Sequence, residues 1–421
     1  PADFSRDAVY SAESEVSALG LTGFLPSGMS YALGGNYAHS SGTRNFLEFD
    51  SYKLGANISV SQPLLKNFWI DAGRAAIRIN KKTLKITELG VAYLTMDTIN
   101  QVQQGYYELL FAREDLKVHE RLLQSKEETL AGIRRQVEVG ALTVLEERLA
   151  ISQAAKIQAD LIAASNAVVL AENALKALMG YTSTNWIADP LVPAERLIVV
   201  PVPVELGDSW QQGFARRPDL AQMKLDVERA DINLKFRRNQ LFPSLDLVAG
   251  YGRRGASATQ TVPPFQSEAS LTEAFEQIDN ANAPSDMVGI VFSLPLSRTA
   301  ERANYKAGKR LKEQANLRLK QREEAILREV SDAFHNVQSA LDRVTATQRA
   351  REYALLALEA EKEKLAGGKS SLYFVLQLQG DLALAESAEV RAKATYNKSL
   401  SQLYFAEGSL LERTRLVLEI R

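Results

Sequence analysis

The chain of 421 residues contains no cysteine. That absence excludes thiol catalysis, thiolate-ligated zinc, disulfides and a lipid-modified cysteine within this sequence. Histidine is almost as scarce. His39, His119 and His335 are far apart, and the last two sit in helix-forming stretches among charged residues. A lone histidine in that setting is ordinarily a solvated side chain. Asp332 and His335, three residues apart, make an ordinary helix-face pair. No G-x-S-x-G, P-loop or H-E-x-x-H occurs, so the sequence predicts no catalytic site, no cofactor and no metal. Charge of one sign is also lacking, with 50 Lys+Arg against 51 Asp+Glu, and nothing directs the chain to nucleic acid. No run approaches the roughly 18 consecutive apolar residues of a membrane-crossing helix. The chain begins Pro-Ala-Asp-Phe without an initiator Met, as a mature or trimmed form would.

One motif points the other way. Residues 250–255, GYGRRG, have the spacing G-x-G-x-x-G of a dinucleotide-binding turn and follow the strand-like LDLVA. Such a turn must open directly into a helix, whose N-terminus holds the phosphate. Here Ser, Thr and Ala follow, then Pro263 and Pro264, with no helical period. The three glycines are better read as a strand ending in a mobile loop.

Proline is the most informative scarcity. None occurs between Pro63 and Pro190 or after Pro295, leaving two windows of 126 residues rich in Ala, Leu, Glu, Gln, Lys and Arg. With Asp71 as N-cap and Gly140 as the first interruption, the first helix would be about 100 Å long. A helix of that length must pack along its side in a coiled-coil-like assembly. A second, Ala-rich helix follows VGALT (139–143) and runs to about Gly180. The second window repeats the plan, with AGGKSS (366–371) in place of VGALT; Gly140 to Gly180 and Gly368 to Gly408 are both 40 residues. The chain therefore looks internally duplicated, on landmarks rather than on identities.

A pair of strand-like segments precedes each long helix. In YKLGANISVSQPL, Tyr52, Leu54, Ala56, Ile58 and Val60 share one face; in DMVGIVFSLPL, Val288, Ile290, Phe292, Leu294 and Leu296 do. Their partners are GMSYALGGNYAHS and SLDLVAGYG. Runs of about ten alternating residues fit membrane-spanning strands as well as half-buried soluble ones. Four strands cannot close a barrel, because closure takes about eight. A ring of chains resolves this, so a homo-oligomer is expected. Between the windows, Pro190, Pro193, Pro201 and Pro203 argue against a regular helix, and Pro218 to Leu241 reads as a short helix with Pro in its first turn.

The stretch RRPDLAQMKLDVERADINLKFRRNQLFPSLDLVAGYG resembles the TolC-like outer-membrane efflux proteins, as do SVSQPLLKNFWIDAGRAA, VGALTVLEERLA and AEGSLLERTRL. The resemblance implies a mainly α fold with a membrane β-barrel: four strands plus long coiled-coil helices per chain, a trimer closing a twelve-stranded barrel, and an α-helical tunnel in the periplasm of a Gram-negative-type bacterium. The implied segments are 1–70 (first strand pair, lacking an N-terminal helix), 71–180 (first helical hairpin), 181–217 (Pro-rich equatorial segment), 218–241 (short tunnel helix), 242–296 (second strand pair with an extracellular loop containing GYGRRGASATQTVPP), 297–408 (second hairpin) and 409–421 (C-terminal equatorial segment). The precursor is expected to carry a further N-terminal helix and a signal peptide. The implied function is a passive exit duct of a tripartite efflux pump or type I secretion system. Its implied partners are two further copies, a periplasmic adaptor, an inner-membrane transporter and outer-membrane lipid.

By position, Val139, Gly140 and Ala141 match one adaptor-docking tip of that family, and Gly367, Gly368 and Lys369 the other. Some relatives place aspartates just after the second tip; Phe374 and Gln377 stand there instead, and Leu365 and Ser370 replace a Tyr and an Arg that lock some relatives closed. Glu146 matches an acidic gate position, with Lys369 as a candidate partner. The competing reading is a soluble coiled-coil scaffold, which would have no need of duplicated amphipathic strands.

Overall fold

The computed structural model describes residues 10–44, 47–182, 186, 190–259, 267–280 and 284–416. The chain divides into two units, one of residues 1–84 and 225–316, the other of 85–224 and 317–421.

The first unit holds an antiparallel sheet of five strands in sequence order: β1 (Tyr10–Phe24), β2 (Ser30–Arg44), β3 (Leu47–Pro63), β4 (Ser244–Ala258) and β5 (Pro284–Ser293). Four of these are the expected strands. β1 is additional, and it corrects the count of four strands per chain. Residues 10–24 alternate small and polar with apolar side chains and pair with β2 from Tyr10↔Arg44 to Phe24↔Ser30. Tyr10 to Phe24, just ahead of Leu25-Pro26-Ser27, are therefore strand.

The register sorts the sheet into two faces. Leu21, Leu33, Ile58 and Tyr251 lie in one cross-strand row, and Tyr31, Val60, Ala249 and Val288 in the next. Val288, Ile290 and Phe292 on this face are more than half exposed. The other face carries Asn36, Asn57 and Ser59 beside Gly55, Gly34, Gly252 and Gly250. In these rows the apolar face has no protein cover among the described residues; opposite a polar, small-residue face, that is the pattern of a barrel wall between lipid and water.

The structure overturns the loop reading of GYGRRG. Gly250 to Ala258 continue β4, paired with β3 as far as Ala258↔Ser51. The following segment was expected to be loop; beyond the undescribed residues 260–266 it forms helix α5 (Leu271–Asp279). α5 lies on β4, where a Cβ at Gly255 would collide with the Ala274 carbonyl. Ser257 Oγ donates to Glu273 (2.7 Å), and Arg253 donates to the Ile278 and Asp279 carbonyls. The glycine serves helix-on-strand packing, which sequence spacing alone cannot separate from a phosphate turn.

At the strand-to-helix junction, Asp71 caps the first long helix as expected, accepting from Arg74 N at 2.9 Å. That helix, α1, spans Ala72–Glu138; in this unit its first turns meet the short helix α4 (Pro218–Asn239) through Lys82–Glu228 (2.5 Å). Asp231 of α4 pairs with Lys312 of the second long helix, α6 (Thr299–Ala366).

In the second unit, α1 and α6 run beside α2 (Val144–Leu178) and α7 (Leu372–Glu407). The core clusters Leu220, Ile326, Val330, Phe334, Val337, Tyr396 and Leu403. From Pro190 to Val204 the Pro-rich segment carries neither helix nor strand, and Tyr396 staples it: its hydroxyl donates to the Val200 carbonyl (3.0 Å) and accepts from Val202 N (3.2 Å). The helix-free reading of 181–217 fails past Pro203, because α3 (Leu206–Arg216) follows. Gly213 lets α3 sit against Ile326 and Val330 of α6. A short helix, α8 (Leu410–Arg413), ends the described chain. α2 also qualifies the expectation of no membrane-length helix: it is long and apolar enough to cross a membrane. Much of that apolarity is alanine, and no charge falls between Asp160 and Glu172.

Candidate functional site

The two turns singled out from the sequence are built alike. α1 ends at Gly140 in the left-handed conformation (φ 74°), with Ala141 N donating to Gln136 O (2.8 Å) and Gly140 N to Val137 O (3.0 Å). α6 ends at Gly368 (φ 71°), with Lys369 N donating to Lys364 O and Gly368 N to Leu365 O. Both are Schellman ends, which use glycine because a Cβ strains the left-handed region. The same motif closes α2 at Gly180 (φ 72°) and α7 at Gly408 (φ 73°). The four landmark glycines thus hold one equivalent position at four helix ends.

Val139, Gly140, Ala141, Gly367, Gly368 and Lys369 are all exposed. The turns lie at one end of the helical unit: Leu142 beyond the first and Leu372 beyond the second pack on one cluster with Ile133, Ala150 and Leu376. The expected gate residues occupy matching places, since Glu146 and Phe374 each stand six residues past their tip glycine. They do different work. Thr143 and Glu146 form a capping box: Thr143 N donates to Glu146 Oε2 (2.7 Å) and Glu146 N to Thr143 Oγ1 (3.4 Å). The sequence T-x-x-E announces this box. Its carboxylate is engaged there, and among the described ion pairs of the single chain none joins Glu146 to Lys369. Ser371 caps α7 without a side-chain bond, and Phe374 occupies the capping-box acid's place, about half exposed. Tyr373 packs edge-on against it, and Gln377 is exposed. The second tip is tied differently, by Ser370 Oγ donating to Glu361, which also meets Lys364 at 3.0 Å.

The residues Arg217-Pro218-Asp219 form a second centre that the sequence flagged only by resemblance. Arg217, almost fully buried, donates Nε to Asp219 Oδ1 (3.0 Å) and Nη2 to Oδ2 (2.8 Å), while Nη1 meets Glu329 (2.7 Å) and the Ala406 carbonyl (3.2 Å). Arg322 closes the ring on Asp219 and Glu329. Burial acts to raise the Asp219 pKa, but the hydrogen bonds and charges of Arg217 and Arg322 outweigh it and hold the carboxyl below its usual range. Beside it, buried Glu407 accepts from Ser209 (2.6 Å) and Ser409 (3.0 Å), joining α3, α7 and the start of α8. Of the three histidines, His39 meets Asp50 at 2.7 Å and stacks on Tyr52, His119 lies 3.8 Å from Asp115, and His335 packs edge-on against Phe334.

The arrangement is thus a sheet with a largely exposed apolar face, paired helical hairpins with glycine tips, and an ionic centre beside the Pro-rich segment. These are the features that the sequence resemblance implied for an outer-membrane protein. The sequence model of the outer membrane efflux protein family matches residues 29–181 and 210–409, and the chain belongs to that family. Membership places it in the outer membrane of a Gram-negative-type bacterium, with its helical part in the periplasm. It is 21% identical over 310 residues to a Salmonella typhimurium protein named probable outer membrane lipoprotein SilC, covering 72% of this chain and 61% of that one. It is 23% identical over 287 residues to the Escherichia coli K12 cation efflux system protein CusC, covering 68% and 58%. The chain thus spans about three-fifths of the length of these relatives. With the Pseudomonas putida pyoverdine export outer membrane protein OpmQ, identity is 25% over 392 residues, covering 88% and 72%. The solved Campylobacter jejuni CmeC outer membrane channel superimposes with a TM-score of 0.67 at 17% identity, covering 95% of this chain and 78% of that one. VceC from Vibrio cholerae gives 0.68 at 17%, covering 94% and 87%.

Proposed function

We propose that the chain is the outer-membrane exit duct of a tripartite efflux pump or type I secretion system, passively conducting cargo across periplasm and outer membrane. The observation that carries this reading is the sheet's apolar face, exposed across β2 to β5 in the rows through Ile58 and Val60, covered by α5 only at its Leu54–Gly255 end, and backed by a polar face. A soluble scaffold would leave that face in water, at a cost of about 25 cal/mol for each Å². Three copies, each giving β2 to β5, close a twelve-stranded barrel. Closure requires β5 of one copy to pair with the outer edge of β2 in the next, so β1 yields that edge in the trimer. The helical hairpins, related as two copies of one plan by the four equivalent glycines, wall the tunnel.

The exposed tips, Val139 to Ala141 and Gly367 to Lys369, dock a periplasmic adaptor, through which an inner-membrane transporter drives the flow. Glu146, Lys369, Phe374 and Gln377 ring the constriction. Phe374 and Gln377 put no acid at the second tip, so the entrance does not select cations there. The chain needs no cofactor and catalyses nothing. Light scattering on detergent-extracted protein tests the assembly, with three chains per particle expected. A monodisperse single chain, stable without detergent, would return the scaffold reading.

A further inference from the structure

Lys126 of α1 lies deep in the helical unit, with 4% of its surface exposed. Its ammonium donates to the Leu376 carbonyl of α7 and to Gln153 Oε1 of α2 at 3.2 Å. Among the described residues no carboxylate lies within ion-pair distance of it. One turn along α7, buried Gln379 donates to Ser125 (3.2 Å) and Thr129 (3.4 Å) of α1, and its Oε1 has no partner. The layer sits between two apolar clusters, Val118–Leu122–Ala383 on one side and Ile133–Ala150–Leu376 on the other. The second of these holds the two tips together.

The charged groups around it are engaged or exposed. On α1, Glu127 and Glu128 are exposed, and Arg121 pairs with Glu386 of α7 (3.0 Å). Arg134 of α1 pairs with Glu147 of α2 (3.2 Å), and Arg148 and Lys156 of α2 are exposed. α6 contributes Leu358 to the adjoining cavity, while its Glu361 is held by Ser370 and Lys364. Lys126 is thus a buried cation whose proton acceptors are neutral, a placement that costs free energy unless a compensating charge is present.

We propose that Lys126 is the positioning residue of the periplasmic gate: its buried charge weakens the seat of the start of α7 against α1 and α2, and loss of that charge tightens it. The proposal rests on the duct reading above. Burial lowers the Lys126 pKa from 10.5 to about 8. A lowered base favours the packed state as pH rises, because that state binds the proton less tightly than the open state, where water reaches the amine. Below pH about 8 the charge therefore favours release of α7, by up to about 300-fold in the equilibrium. Between there and about 10.5 the seam tightens. Lys126 sets how readily the tips part, and alkaline pH closes them.

The test compares wild type, Lys126→Met and Lys126→Arg. Planar-bilayer conductance of the wild type should fall at least tenfold from pH 7 to 9.5, with a midpoint near 8. Lys126→Met, which keeps the volume without charge, should be low and flat. Lys126→Arg, which keeps its charge throughout, should be high and flat. A wild-type profile that Lys126→Met leaves unchanged overturns the proposal. Hydrogen exchange on the same detergent-solubilised proteins gives an independent reading, even if no variant conducts and the duct reading fails. Amides 374–380 should exchange several-fold more slowly in Lys126→Met than in wild type at pH 7. Equal rates there would also overturn it.

Discussion

Replacing Asp219 with Ala tests whether the Arg217–Asp219–Arg322–Glu329 ring supports the assembled duct. Asp219 accepts two bonds from Arg217 and one from Arg322, and the Arg217 side chain is 2% exposed. Without the carboxylate, two guanidiniums face each other with only Glu329 between them, and Arg217 cannot swing into water. Breaking a buried pair from one side costs about 3–5 kcal/mol, because the remaining charge stays desolvated. In a chain of this length that lowers Tm by roughly 3–6 °C. The assay is thermal unfolding in one detergent at one scan rate, since unfolding of such proteins is commonly irreversible. The sign with pH is fixed as well. Asp219 has a lowered pKa, so its contribution is present above the ordinary carboxylate value and is lost as pH falls through its native pKa. The gap between Asp219→Ala and wild type should stay constant at neutral pH and close only in strong acid. A Tm within 1 °C or so of wild type at pH 7, inside the scatter expected for an ordinary surface substitution, would refute the buried-ring reasoning.

Three further outcomes follow from the tips and the sheet. Glu146→Ala removes the capping box and should cost about 1 kcal/mol locally, read as faster hydrogen exchange at amides 143–147 with the far ends of α1 and α2 unchanged. Phe374→Glu supplies the missing capping-box acid opposite Ser371 and puts a carboxylate at the constriction; reversal-potential measurements should move toward cation preference, and no shift would remove Phe374 from the gate. Gly255→Val forces a side chain into the Ala274 carbonyl. It should detach α5, seen as new protease cleavage within 271–279 while β1 to β5 stay protected.

The helical framework was legible because its punctuation is chemical. Proline breaks a helix and glycine ends one, and Asp71, Gly140, Gly180, Pro218, Gly368 and Gly408 all act where the letters place them. β2 to β5 were legible through two-residue alternation. β1 was not, since Ser, Glu and Gly dilute its pattern, although it pairs with β2 as a hairpin across the short turn at residues 25–29. α3 was hidden by the prolines just before it, although the residues after Pro203 were free to coil. GYGRRG misled because a glycine spacing records only where side chains are absent. The reason, a helix on Gly255 or a phosphate, lies elsewhere in the chain. At the tips, the Thr143–Glu146 box was written in the sequence as T-x-x-E. Burial of Lys126 was not, because its neighbours on α2 and α7 are set by packing across hairpins.

The most direct test of the duct is the current through a planar bilayer exposed to purified wild-type protein near neutral pH. The account predicts stepwise, long-lived conductance increments that scale with salt concentration, as for a water-filled pore. Protein shown to be trimeric and folded that leaves the bilayer silent across the pH range would contradict it.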